Sequence, residues 1–134
     1  MGVISAVGND VTENRLSLAE GKCGIGLLEI FPSKFAGQIP VGEIKISSGA
    51  LRQKLQIKEP GIHRTTLLAL HAFEEAIADS GLTAADLAAF DSAFINASTV
   101  GGMCLTNEMY NDSKKDTPAS EYSSTYDYSS STMY

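Results

Sequence analysis

Residues 94–102, Phe-Ile-Asn-Ala-Ser-Thr-Val-Gly-Gly, combine the residue types from which a wall around a ligand is built. Ala97 and Ser98 are small enough to let a ligand approach, Val100 offers one apolar wall residue, and Gly101 and Gly102 allow the backbone to turn tightly. Residues 91–95 alternate and end in bulky apolar side chains, and Met103-Cys104-Leu105 follows the glycines, so the spacing predicts a strand running into a helix start. In open α/β sheets ligands gather beyond the carboxyl ends of strands, where the sheet holds the side chains and the turn leaves space. A plain strand-to-helix connection with no ligand accounts for the same pattern.

Nucleophiles and bases are few. Cys104 falls near the expected helix start, where the helix dipole favours a thiolate, and Cys23 lies in a glycine-rich loop. The two cysteines have neither Cys-x-x-Cys nor Cys-His spacing, so free thiols are expected rather than a disulfide framework or a zinc site. His63 and His71 flank or lie on one helical stretch, and no carboxylate or serine is spaced to form a dyad with either. His71, four residues after Leu67 and two before Phe73, reads as a packed or rim histidine.

The elements that must position these residues follow from patterning. Residues 2–8 are apolar and bounded by glycines, which reads as a strand end; Asp10 with Glu13 forms a capping signature for a helix running to about Glu20, with Gly21 as its stop. Strand, glycine turn and helix is also the geometry that cradles a pyrophosphate, but only Gly2 and Gly8 are present and the G-x-G-x-x-G spacing is absent. Residues 22–59 form a long excursion punctuated by Gly, Pro and Ser, within which 41–46 alternates like a short edge strand and 48–55 fits two turns of helix. Residues 65–80 give the clearest helix. Leu67, Leu68, Leu70, Ala72, Phe73, Ala76 and Ile77 cover more than one face and Gly81 ends it, so burial against a sheet is expected. Thr83 and Asp86 repeat a capping box before a short helical turn. Helix, loop and strand in this order imply an α/β layer architecture.

The 134 residues carry a formal charge of −6 and are 43% hydrophobic, the make-up of one globular domain. Ten basic residues scattered among sixteen acids form no basic face, which argues against nucleic acid and anionic membranes as partners. Neither a membrane-length apolar run nor a secretion-signal pattern is evident, and a cytoplasmic location is expected. Residues 112–134 change character, with ten Ser or Thr and four Tyr among 23 positions.

Several of these motifs occur together in an order that resembles β-ketoacyl-acyl-carrier-protein synthases. They are the opening Gly-Val-Ile-Ser-Ala-Val-Gly-Asn-Asp-Val of residues 2–11, Gly-Lys-Cys-Gly-Ile of 21–25, Lys-Phe-Ala-Gly of 34–37, the 64–82 helix ending Asp-Ser-Gly-Leu, and Ala-Ser-Thr-Val-Gly-Gly of 97–102. The resemblance covers nearly the whole sequence and corresponds to the opening third or so of such a condensing enzyme. It implies a thiolase-like, layered α/β/α fold, here a partial N-terminal half in which residues 1–111 belong to the α/β domain. It further implies a homodimer or a related heterodimer, and an acyltransferase that condenses an acyl thioester with malonyl-carrier protein after decarboxylation, with no cofactor or metal.

Carried over residue by residue, Thr99 and Val100 match the pocket-lining position that limits acyl-chain length, and Gly101 and Gly102 match the turn that supports it. The family's nucleophilic cysteine, in a Thr-Ala-Cys type motif, and its two histidines find no counterpart up to Tyr134, and its first strand none before Gly2. Cys104 corresponds to the turn beside the pocket and not to the nucleophile. The resemblance therefore implies a chain inactive alone, with 112–134 ordered against a dimer interface; acyl-carrier protein and acyl thioesters are the implied partners. A non-catalytic chain-length-factor-like subunit that pairs with a catalytic synthase is the other reading.

Overall fold

A computed structural model describes residues 1–59, 62–89, 93, 95–97, 110, 111 and 114. In chain order these form α1 (Val11–Ala19), β1 (Gly26–Leu27), β2 (Pro40–Val41), α2 (Ser48–Lys54), α3 (Arg64–Ser80) and α4 (Ala84–Leu87). Helices and a small sheet thus share the chain. Among the described residues the sheet is the antiparallel pair β1–β2, with Gly26 opposite Val41 and Leu27 opposite Pro40.

Local capping chemistry sets the helix ends. The Asp10 carboxylate accepts from the Glu13 N–H at 2.7 Å, and the Glu13 carboxylate reaches back to the Asn9 N–H at 2.8 Å, so orphan donors at the start of α1 are satisfied from both directions. The Ser47 hydroxyl caps α2 by accepting from the Ala50 N–H at 3.1 Å. At α4, Thr83 and Asp86 close a reciprocal box, the carboxylate accepting from both the Thr83 N–H at 2.8 Å and its hydroxyl at 2.6 Å. Gly81 ends α3 at φ 71°, a left-handed conformation that favours glycine.

Three sequence expectations are corrected. The apolar opening, residues 2–8, is not a strand: residues 2–4 are irregular and 5–8 form a tight turn closed by a Ser5–Gly8 bridge, in which the Ser5 N–H donates to the Gly8 carbonyl at 2.8 Å. The strand expected over 41–46 shrinks to Pro40–Val41. Beyond Val41 the backbone is fixed by side chains instead of a neighbouring strand, for the Arg64 guanidinium takes the carbonyls of Ile44 and Ile46 at 2.8 Å each. Among the described residues the cover of α3 is not a sheet: α2 and residues 1–11 lie against it.

Where the core sits follows from that packing. Leu51 of α2 and Leu67 of α3 are fully buried, and Leu28 joins them among the buried apolar residues. Residues 1–11 approach α3 so closely that a Cβ on Gly2 would fall 1.7 Å from the Ala72 carbonyl oxygen. Of the strand expected at 91–95, Asp91, Ser92 and Phe94 lie outside the described residues, while Ala93 and Ile95 carry no strand and Ile95 is 91% exposed. A strand without a partner leaves its backbone groups unpaired, and none of the described strands reaches this segment.

Candidate functional site

Thr99, Val100, Gly101 and Gly102, the expected acyl-pocket wall, lie outside the described residues, as do Ser98 and Cys104. The preceding Asn96 and Ala97 are exposed. Cys23 is an exposed free thiol. Most of 112–134 also falls outside; Lys114 is described, with its ammonium 4.1 Å from the centre of the Tyr110 ring.

What the structure does bring together is a polar cluster beneath α1. Arg64, Leu67, His71, Glu75 and Asp79 recur at three- or four-residue spacing along α3 and so share one stripe of the helix. Against it lie Val3, Asn9 and Val11, and Ser5 of the same opening segment is bonded to Asn14 of α1. His71 is 4% exposed and its Nε2 sits 2.8 Å from the Asn9 carbonyl oxygen. A carbonyl can only accept, so Nε2 carries a proton, and Nδ1 is buried without a hydrogen-bond partner among the described residues.

Glu75 joins two segments: Oε2 accepts from the Val3 N–H at 2.9 Å and Oε1 from the Val11 N–H at 2.7 Å. One further turn along, Asp79 pairs with the amino group of Met1. Buried Asn14 completes the cluster, its amide donating to the Gly8 and Asp10 carbonyls at 2.9 and 2.7 Å while its oxygen accepts from the Ser5 hydroxyl.

Serine, histidine and carboxylate are all present here, which is the composition of a nucleophilic triad, but their pairing is different. A triad needs the hydroxyl on the histidine and the histidine on the carboxylate. Here the Ser5 hydroxyl goes to Asn14, His71 to a backbone carbonyl, and Glu75 to two backbone N–H groups. The arrangement fixes the opening turn and α1 onto α3; it does not activate a nucleophile.

His63, at the start of α3, does not cap the helix with its side chain, and burial lowers its pKa. Asp86 is held below its ordinary carboxylate value by the hydroxyl and N–H of Thr83, with burial acting in the opposite direction. Among the described residues no group of three or more His, Cys, Asp and Glu side chains is arranged to hold a metal ion, and no helix is long and apolar enough to cross a membrane.

Glu75, Asn14 and Glu43 were not singled out by motif. For Glu75 the available signal is its spacing: it follows His71 by four residues and Leu67 by eight, on one stripe of the helix. Compared with family models, with curated proteins and with solved structures, the chain matches none.

Proposed function

We propose that this chain is an N-terminal portion of a 3-oxoacyl-acyl-carrier-protein synthase, an acyltransferase of fatty-acid or polyketide-type synthesis with a thiolase-like layered fold. Its contribution is one wall of the acyl pocket. The reading rests on a single observation, the serial order of the five motifs from residues 2–11 to 97–102. In this reading Thr99 and Val100 line the cavity, the Gly101–Gly102 turn supports them, and the nucleophile and decarboxylation histidines are supplied by sequence outside these residues. Acyl-carrier protein, acyl thioesters and a second synthase subunit are the partners, and the location is cytoplasmic.

Two structural features support it without depending on the motifs. Buried apolar side chains among the described residues are few, and Leu18, Ile25, Leu27, Phe31 and Phe35 are exposed by 45–71%. Such a surface suits a unit covered by further layers.

Reading the gene beyond Tyr134 is the direct test. Continuation through a Thr-Ala-Cys motif and two histidines agrees with the synthase; a replaced cysteine points to a chain-length-factor-like subunit. In the full-length parent, Val100→Trp should shorten the acyl chain accepted, measured by product chain length, and unchanged preference counts against the pocket assignment. Incubation of this chain with an acyl-carrier-protein thioester should leave Cys104 unmodified by mass spectrometry; stable acylation there would overturn the assignment of the nucleophile elsewhere.

A further inference from the structure

The excursion between α1 and α2 is held by two residue pairs of β-ladder, Gly26 with Val41 and Leu27 with Pro40, and by the Leu28 N–H on the Ile39 carbonyl at 3.2 Å and the Gly37 N–H on the Leu28 carbonyl at 2.9 Å. A carboxylate adds a further closure. Three consecutive N–H groups converge on one carboxylate: Glu29 N donates to Glu43 Oε2 at 2.8 Å, Ile30 N to Oε1 at 3.0 Å and Oε2 at 2.9 Å, and Phe31 N to Oε1 at 2.7 Å. Successive N–H groups aimed at a common point make a concave anion site, the same device that holds phosphates and other oxyanions in proteins.

Glu43 reaches this hollow from the opposite arm, and its side chain is only 8% exposed. Lys45 adds a cation: its Nζ lies 3.4 Å from Glu43 Oε2, 3.4 Å from Glu29 Oε2 and 3.0 Å from the Leu27 carbonyl oxygen. The charged groups at the hollow are thus Lys45, Glu29, itself 64% exposed, and Glu43.

We propose that the backbone of residues 29–31, with Lys45, is a binding nest for a small carboxylate, which Glu43 occupies in cis as a latch that closes the excursion. The inference is independent of the condensing-enzyme reading. Burial opposes the charge on Glu43, but the N–H groups of Ile30, Glu29 and Phe31 and the Lys45 ammonium outweigh it and hold the pKa at about 2, against an ordinary 4.5. A depressed acid pKa contributes stability that is full above the unfolded value of 4.5 and is lost as pH falls through about 2. The latch is therefore closed at neutral pH and opens only in strong acid.

Amide hydrogen exchange on the whole chain tests this, comparing wild type with Glu43→Ala at neutral pH in rising acetate, with chloride at matched ionic strength as the control. In Glu43→Ala the amides of residues 29–31 should exchange roughly tenfold faster, the factor expected for losing a charge-assisted hydrogen bond, while those of α3 hold. Acetate should restore protection in Glu43→Ala and leave wild type unchanged. Unchanged exchange at 29–31, or acetate acting no differently from chloride, overturns the proposal.

Should Glu43→Ala fail to fold, wild type decides the matter. The Glu43 carboxyl carbon resonance should stay fixed between neutral pH and pH of about 4 while ordinary exposed glutamates begin to titrate. Movement in step with them overturns the latch.

Discussion

Replacing Glu75 by Gln changes one oxygen to an NH2 group and little else, and the structure says what that does. Glu75 spans two backbone donors, Val3 and Val11, with one oxygen on each. Gln has a single oxygen, so one of the two N–H groups meets another donor and the other keeps a neutral acceptor in place of a charged one. Hydrogen bonds to a charged group contribute about 1.5–3 kcal/mol and neutral ones about 1 kcal/mol, so Glu75→Gln should destabilise by about 2–3 kcal/mol. The expected readout is a lower urea midpoint at neutral pH with an unchanged denaturant slope, since the surface exposed on unfolding is the same.

Glu74 supplies the control: it is exposed, and Glu74→Gln should fall within about 0.5 kcal/mol of wild type. Exchange of the Val3 and Val11 amides should quicken in Glu75→Gln before that of the α3 backbone. If the folded baseline is lost, a stabilising osmolyte added equally to all variants recovers it. Glu75→Gln within about 0.5 kcal/mol of wild type, with the Val3 and Val11 amides unaltered, would refute the reasoning that this carboxylate anchors the opening segment.

Leu67→Ala removes a fully buried side chain of α3 and should cost about 2–5 kcal/mol, read from chemical unfolding; a loss below about 1 kcal/mol would mean the site is not core. Two glycines should respond for different reasons. Gly2→Ala puts a methyl on the Ala72 carbonyl and should detach residues 1–11 from α3, whereas Gly81→Ala meets nothing but is strained at φ 71° and should cost about 1 kcal/mol, measured by thermal unfolding. Because so few apolar side chains are buried among the described residues, the isolated chain should be marginally stable or self-associated, and a cooperative monomer by circular dichroism and size exclusion would contradict that.

Features that depend on neighbours within four residues were legible in the sequence. The Asp10–Glu13 and Thr83–Asp86 boxes and the Gly81 stop appear where the residue types place them, because a cap is satisfied within one turn. The opening turn was not legible, since 2–8 has the composition of a strand and only the absence of a pairing partner distinguishes the two. Glu75 and Glu43 were hidden for a related reason. Their partners are backbone N–H groups 72 and 64 residues away for Glu75 and 12–14 for Glu43, and a backbone donor leaves no trace in residue type. The acyl-pocket wall at 99–102 lies outside the described residues, so its legibility rests on the motif order alone.

With a single two-residue ladder among the described residues, the loop backbone there must be satisfied by other means, for a buried N–H or carbonyl without a partner costs as much as a lost hydrogen bond. Long side chains take the part of neighbouring strands here. Arg64 donates to the Ile44 and Ile46 carbonyls, and Arg52 to those of Glu59 and Ile62 at 2.6 and 2.9 Å. In both cases the two nitrogens of one planar fork reach two acceptors at once. A lysine presents a single ammonium, so Arg→Lys at either position keeps the charge but cannot reproduce both contacts. Glu43 and Glu75 complete the same scheme with opposite polarity, each carboxylate gathering N–H groups from a distant segment. The geometry of these contacts, more than the count of charges, is therefore what closes the excursion on itself through Glu43 and ties residues 44–46 and the opening segment to α3 through Arg64 and Glu75.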